Sequence, residues 1–291
     1  MIVLFSIPGK SQDLDALLEK ETKSQTTYTS ASFKSTRIVN GHSIEQMKRE
    51  QLEFRVSHRF DPLNSGSNNF YGLDYGKIHL GLGYGLTDWF ELGIGRSSYD
   101  KTYDAFGKFS ILRQSKGADN MPIHLTYLFS IEAITIKSKP EKYQDFYSRM
   151  SFVQQILVAR KFNESFSAQI TPTFIHRNLV PTELERNDLF ALGVGGRYKL
   201  SKRIALNIEY YYVYRANENQ ISYSNPPPTK YYNPLSVGID IETGGHVFQI
   251  MLTNSQPMRE AGFIGKTEGK WSDGGIRLGF NISRVFSFNK Q

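Results

Sequence analysis

From residue 51 to the end of the chain, apolar residues alternate with polar or small residues in runs of about ten positions. One run sets Ile78, Leu80 and Leu82 against lysine, histidine and glycine, and a break follows it. Alternation with a period of two is typical of a β-strand that has one apolar and one polar face. The runs number about twelve, which predicts an all-β protein of about twelve antiparallel strands.

The connections between these runs alternate in length. The short connections lie at residues 87–88, 161–164, 201–202 and 243–245. The longer connections lie at residues 61–74, 134–148, 177–187, 216–232 and 254–273. Residues 96–102 are shorter, and residues 114–120 longer, than this alternation requires. Short turns at one end and long loops at the other predict a transmembrane outer-membrane barrel, whereas a soluble periplasmic sandwich, the rival fold, has no reason to separate them.

The composition agrees with a barrel once the two strand faces are separated. Hydrophobic residues make up 39% of the 291 residues, and the mean hydropathy is −0.42. This average combines an apolar strand face with a charged face and polar loops. No apolar run reaches the ~20 residues of a membrane-spanning helix, which excludes a helical membrane protein. The absence of cysteine excludes a disulfide scaffold and thiol catalysis, and the net charge of +7 is too scattered to indicate a nucleic-acid partner.

The strand face opposite the apolar one carries charges of both signs, such as Glu53, Arg55, Arg59 and His79. A charge facing lipid near the middle of the bilayer costs about 2–4 kcal/mol, so these side chains are expected to face the lumen. A barrel of about twelve strands is intermediate between side-chain-filled small barrels and open porins. The lumen could therefore be a hydrated pore or a nearly closed interior with paired charges.

The chain divides into three parts. Residues 1–11 contain a short apolar stretch followed by small residues at positions 9 and 11, which predicts the end of a signal peptide whose basic start is missing. Residues 12–50 form an N-terminal extension, and residues 51–291 form the barrel. Glycines at positions 81, 83, 85, 93 and 95 clear part of the inner wall. They either ease the curvature of the barrel or make room for something packed inside.

Residues 27–47 are the available candidate for such a plug, and a periplasmic extension or an extra strand are the alternatives. No catalytic group is predicted, because the chain lacks a G-x-S-x-G elbow. A Ser-His-acid combination carries no weight here, because a chain with this many serine and aspartate residues always allows one. The six histidines lack metal-binding spacing, so neither a metal nor a cofactor is predicted. The protein is therefore not expected to be an enzyme.

Several strings resemble a family of Bacteroidota outer-membrane β-barrel proteins of unknown function. These strings lie at residues 35–43, 54–60, 72–74, 95–98 and 101–104. The resemblance implies a β-barrel in the cell outer membrane and implies no activity. Together with the lumen-facing pattern, it suggests a functional or plug-holding network whose candidates are Arg37, His42, Arg55, Arg59, His79, Arg96, Asp104 and Arg277.

Residues 281–288 resemble the C-terminal signal that the outer-membrane assembly machinery reads, with serine in place of the glycine and three residues after the last aromatic. The expected partners are therefore outer-membrane lipid and that machinery. The expected function is a narrow or gated channel for small polar solutes. The alternatives are a nonconducting structural or partner barrel, and an outer-membrane enzyme that modifies lipids.

Overall fold

The computed structural model describes residues 25–136, 145–180, 185–215 and 230–288. The predicted signal peptide at residues 1–11 lies outside them. Within the described residues, twelve antiparallel strands form one closed barrel, which confirms the predicted fold class and strand number. The strands are β1 (Gln51–Pro62), β2 (Gly76–Gly85), β3 (Phe90–Ser97), β4 (Tyr103–Leu112), β5 (His124–Ala133), β6 (Met150–Lys161), β7 (Phe166–Arg177), β8 (Asp188–Lys199), β9 (Ile204–Tyr214), β10 (Leu235–Thr243), β11 (His246–Thr253) and β12 (Arg277–Ser287).

The ring closes where the last strand pairs with the first. β12 lies antiparallel to β1, with Arg277 opposite Pro62 at one end and Ser287 opposite Gln51 at the other. Every strand of the barrel therefore has a neighbour on both sides, and no backbone edge is left unpaired. This closure is what allows a sheet to stand in a medium that cannot hydrogen-bond with an exposed edge.

Alternation along each strand separates an apolar outer surface from a polar inner one. Ile94 on β3 is 61% exposed on the outside, whereas Arg59 on β1 is 1% exposed on the inside. His58, which follows the apolar pattern, lies on the outer face and stacks on Phe280 with ring centroids 5.2 Å apart. The outer face therefore holds the hydrophobic half of the strands and the interior holds the charges.

Short and long connections lie at opposite ends of the barrel, as predicted. The turn end carries residues 86–89, 162–165, 200–203 and 244–245, and β1 begins there. The loop end carries the connections that follow β1, β5, β7, β9 and β11. In the described part of the chain, six short helices lie at the loop end or on loops that begin there: the 3-10 helices Leu63–Ser65, Ser67–Gly72, Tyr99–Lys101, Tyr147–Arg149 and Trp271–Asp273, and the α-helix α1 (Glu260–Gly265).

The two irregular connections have local explanations. The short link of residues 98–102 turns with Asp100 and Lys101 at positive φ. The long link of residues 113–123 contains a two-residue strand, Ser115–Lys116, that pairs with Thr27–Tyr28 and so contacts the N-terminal part of the chain. No helix in the described part of the chain is both long and apolar enough to cross a membrane.

Candidate functional site

Residues 32–47, called the inner segment below, lie within the ring of strands. Its backbone accepts hydrogen bonds from inward-facing side chains of distant strands: Gln169 of β7 donates to the carbonyl of His42 at 2.8 Å, and Asn281 of β12 donates to that of Val39 at 3.1 Å. Lys108 of β4 donates to the carbonyl of Glu45 at 2.5 Å. Contacts from such widely separated strands place the segment in the lumen.

The middle of the inner segment is a tight hairpin that wraps around a wall carboxylate. The backbone N–H of Ile38 donates to the carbonyl of Gly41 at 2.9 Å. Glu209 of β9 accepts hydrogen bonds from the backbone N–H groups of residues 39, 40 and 41 at 3.4, 3.2 and 2.9 Å. A side chain at Gly41 would collide with the hydroxyl of Tyr211, so only glycine fits this close approach. The carboxylate thus satisfies backbone donors that would otherwise be unpaired.

Apolar side chains of the inner segment pack on a small apolar patch of the wall. Phe33, Ile38, Val39 and Ile44 are buried and form one cluster with inward-facing apolar residues. The wall members of this cluster are Leu128, Leu157, Ala159 and Met251. The segment is therefore amphipathic, with one side on this patch and the other among charges.

A second element reaches the interior from the loop end. Helix α1 begins with Glu260, which is fully buried and forms an ion pair with Arg37 of the inner segment. Glu260 also pairs with Arg259 at 2.9 Å. Arg259 contacts Asp104 of β4 at 3.1 Å, and Asp104 hydrogen-bonds with His79 of β2 at 2.8 Å. These contacts link the inner segment, the 254–276 loop and the barrel wall.

The ion pair between Arg37 and Glu260 is charged at neutral pH. Burial lowers the pKa of Arg37 to about 10, which Glu260 partly offsets. Burial raises the pKa of Glu260, but the neighbouring guanidinium groups of Arg259 and Arg37 lower it further, to below its usual value. His42 is neutral, because burial and then the charge of Arg37 lower its pKa well below the usual 6.5. The segment therefore carries both a charged contact and an uncharged imidazole into the interior.

The end of the inner segment is held near the turn between β2 and β3. The backbone N–H of Met47 donates to Glu91 of β3 at 3.1 Å, and that of Glu50 donates to the carbonyl of Gly85 at 2.9 Å. A side chain at Gly85 would collide with the backbone of Lys48. The other inward-facing glycines of β2 and β3 make room for side chains of the wall. At Gly95, for example, a Cβ would meet the ring of His79.

The structure brings most of the predicted network residues together. Arg37, His42, Arg55, His79 and Asp104 surround one internal cavity of about 20 Å³. This volume holds about one water molecule. Arg59 lies beside the cluster and donates to the side-chain oxygen of Asn40 at 2.8 Å.

Two candidates lie apart from this cluster. Arg96 is on the outer face of β3, with its guanidinium 5.4 Å from the ring of Tyr103, so its place in a lumen network is corrected. Arg96 follows Ile94 by two positions, so alternation along the strand places both on the outward face. It was a candidate because residues 95–98 resemble the family. Arg277 lies at the loop end, where it donates to the carbonyl of Asn254 at 3.2 Å.

Two buried charged residues that connect the inner segment with the barrel wall were not among the predicted candidates. Arg259 and Glu260 lie in a long connection, where strand alternation gives no information about burial. Their only sequence signal is a charged pair directly before the apolar residues 261–264. Glu209 follows the inward pattern of β9, but its backbone partners depend on the path of the inner segment. No group of three or more ligating side chains that could hold a metal lies in the described part of the chain.

Comparison with known protein families matches residues 33–286 to the family described as "Membrane bound beta barrel domain (DUF5777)". The chain belongs to this family. The match begins at the inner segment and ends in β12, so the membrane bound beta barrel domain includes both the barrel and the segment inside it. Comparison with curated proteins gives no match.

Solved structures that this membrane bound beta barrel domain resembles include porins and channels. A KdgM porin matches with a TM-score of 0.45 at 9% identity, over 82% of this chain and 99% of that chain. The COG4313 outer membrane channel from Pseudomonas putida F1 gives 0.47 at 14% identity, over 85% and 100%. The deltaS2 mutant of the TodX monoaromatic hydrocarbon channel gives 0.43 at 10% identity, over 92% and 96%. At these identities no residue role carries over.

Proposed function

We propose that the protein is a gated outer-membrane channel for small polar solutes, and that residues 32–47 are the plug that closes its lumen. The observation that carries this proposal is the inner segment itself, whose backbone is bound by side chains from opposite parts of the wall. A membrane bound barrel whose apolar surface faces outward has a polar interior for which a solute path is the natural use.

The contacts of the inner segment favour a removable plug over a permanent core. The wall around it is dominated by polar and charged side chains, such as Glu209, Gln249 and Asn281, which hydrogen-bond with its backbone. Water can replace such partners at modest net cost, because a typical hydrogen bond contributes only about 0.5–1.5 kcal/mol. A wall that was always covered would gain more from apolar packing. The interior is therefore suited to hydration once the segment leaves.

The nonconducting barrel is the second candidate, and the filled interior favours it. Two small cavities lined by described residues lie among the plug, helix α1 and the wall. Their volumes are about 30 and 20 Å³, so neither can hold a hydrated solute. The difference between the candidates is whether the segment ever leaves. We favour release because the backbone of the plug is held largely by polar side chains of the wall, whose hydrogen bonds water can replace.

The lipid-modifying enzyme lacks a suitable arrangement in the described residues. Ser110 and His124 hydrogen-bond at 3.0 Å, and they follow the inward pattern of β4 and β5. No carboxylate in the described part of the chain orients His124, and the pair does not face lipid. We therefore assign transport rather than catalysis, with location in the outer membrane and assembly through β12 as parts of the same proposal.

Conductance in planar bilayers tests the plug. We expect the full-length protein to be mostly closed, and a variant lacking residues 27–47 to give steady, stepwise conductance, because the lumen then fills with water. Heat-modifiable migration on gels shows that each barrel is folded. The matched control is Lys34→Met, since Lys34 pairs with Glu242 at the partly exposed rim and its loss should leave the closed state unchanged.

Two results would contradict the proposal in different ways. Stepwise conductance of the same size and frequency in both proteins would show that residues 27–47 do not plug the lumen. Silence of both folded proteins would favour the nonconducting barrel.

A further inference from the structure

We infer that the outer face of the barrel binds one amphipathic lipid in a groove across β6, β7 and β8, and that the lipid is held by a polar group that donates hydrogen bonds. The groove has a volume of about 500 Å³ and is lined by outward residues that include Ile156, Pro172, Phe174 and Phe190. This volume lies in the range of small-molecule sites. The inference concerns the outer surface and does not depend on whether the barrel conducts.

Gln154 is the first observation that points to a polar group on the ligand. It lies on the exposed face of β6, between Phe129 of β5 and Phe174 of β7 in the strand register. Its side-chain amide forms no hydrogen bond within the described part of the chain. An amide that faces hydrocarbon without a partner is destabilising, so a ligand that supplies the partner binds preferentially there.

Pro172 is the second observation, and it is independent of the first. The register between β6 and β7 is constant, but Ile156 and Leu157 do not pair with Pro172 and Thr171. On its other side, Pro172 keeps its pairing with Leu192 of β8. Proline has no N–H, so the ladder lacks one donor and a carbonyl of β6 loses its partner. An unpaired acceptor therefore lies next to the groove.

The polar atoms around the groove define the chemistry of the occupant. The carbonyl of β6 opposite Pro172 can only accept hydrogen bonds, so it selects a donor on the ligand. The Gln154 amide can pair with the same donor through its oxygen and with a neighbouring acceptor through its NH2 group. Tyr127, Tyr212 and Tyr214 also line the groove, and a tyrosine hydroxyl can both donate and accept. Apart from the inward-facing Gln155 and Thr173, the rest of the lining is apolar or aromatic. The groove therefore fits an apolar chain joined to a donor such as an ammonium or hydroxyl group.

A second groove on the same barrel shows what an ordinary lipid-facing surface looks like. It lies over β10, β11 and β12, has a volume of about 580 Å³, and is lined on the outside by residues such as Ile241, Phe248, Ile250 and Ile282. No polar side chain lines it from the outer face, and the pairing of β11 with β12 is unbroken beside it. It serves as an internal control, because it offers area without hydrogen-bond acceptors.

Native mass spectrometry with two lipids of identical acyl chains tests the site. Phosphatidylethanolamine has an ammonium group that donates hydrogen bonds, whereas phosphatidylcholine has none. We expect the wild-type barrel to retain one phosphatidylethanolamine about tenfold more tightly than phosphatidylcholine, the equivalent of one hydrogen bond. Gln154→Met should reduce this preference several-fold, and Ile250→Met in the second groove should leave it unchanged.

Pro172→Val provides a second variant, because it restores a backbone donor and should also reduce the preference. Heat-modifiable migration confirms that each variant is folded. Equal retention of the two lipids by the wild-type protein would overturn the inference. A preference that survives both Gln154→Met and Pro172→Val, or that Ile250→Met removes equally, would show ordinary annular lipid and overturn it as well.

Discussion

The two faces of a single strand differ more than any two strands of this barrel. On β2, Leu80 and Leu82 are exposed on the outside, whereas His79 is buried on the inside and hydrogen-bonds with Asp104. In a water-soluble protein this arrangement would be reversed. The outer face is therefore stable with almost any apolar residue, because it meets only lipid. The inner face depends on particular partners, because a buried charge without one is costly.

The interior also differs from the outside in how its contacts depend on the inner segment. Arg59 illustrates this, since it bonds with Asn40 of the segment and with Asn281 of β12. If the segment leaves, such side chains lose partners and gain water. Variants on the two faces should consequently affect different properties, namely docking of the segment on the inside and folding of the barrel on the outside.

The largest effect is expected from Glu260→Leu. This change leaves Arg37 buried without its carboxylate, and breaking a buried ion pair costs about 3–5 kcal/mol. Docking of the inner segment should weaken by a factor on the order of 10²–10³. The measurement is the labelling rate of a single cysteine, Ser43→Cys, by a membrane-impermeant maleimide. Ser43 is fully buried, and the chain has no other cysteine.

Lys266→Met is the matched control for Glu260→Leu. Lys266 lies in the same loop and contacts Asp100 at 4.0 Å in a partly exposed ion pair, which contributes about 0–1 kcal/mol. Its loss should leave labelling of Ser43→Cys nearly unchanged. Equal labelling rates in the Glu260→Leu and Lys266→Met backgrounds would mean that the buried pair does not hold the segment.

A smaller effect, on folding rather than docking, is expected from Ile94→Lys on the outer face. A lysine that faces lipid near mid-bilayer costs about 2–4 kcal/mol. By contrast Lys108, fully buried inside, is accommodated because it donates to the carbonyl of Glu45. Refolding into lipid vesicles at increasing urea concentrations measures the stability. Leu86→Lys, in a turn at the end of the barrel, is the control and should cost only about 0–1 kcal/mol.

An Ile94→Lys barrel as stable as the Leu86→Lys barrel would show that Ile94 does not face hydrocarbon. Because the two substitutions introduce the same side chain, any difference between them reports depth in the membrane and not lysine itself.

The strands could be predicted from the sequence, whereas the contacts of the irregular connections could not. A period of two fixes which residues of β2 and β3 point outward, and the alternating loop lengths fix the antiparallel order, so the barrel was predictable. The same alternation also identifies Arg55, Arg59 and His79 as inward-facing residues. The prediction for Arg96 was wrong because it followed the family resemblance, whereas alternation places Arg96 on the outward face with Ile94.

The rest could not be predicted, because it depends on contacts between distant segments without periodicity. Nothing in the local sequence indicates that Glu260, more than 200 residues after Arg37, lies beside it. Likewise, the role of Glu209 follows from a hairpin that only the tertiary path brings to β9. Side chains on regular strands are placed by geometry, whereas those on irregular segments are placed by their partners.

The smallest effect is expected from Glu209→Gln. The glutamine oxygen still accepts hydrogen bonds from the hairpin of the inner segment, but it lacks the negative charge that strengthens them. Docking should weaken by about 1 kcal/mol, so labelling of Ser43→Cys should rise roughly fivefold. Glu242→Gln is the control, because Glu242 forms its ion pair with Lys34 at the partly exposed rim. If both variants label at the wild-type rate, the charge of Glu209 is not needed for docking. The inner face would then depend less on particular partners than its contrast with the outer face implies.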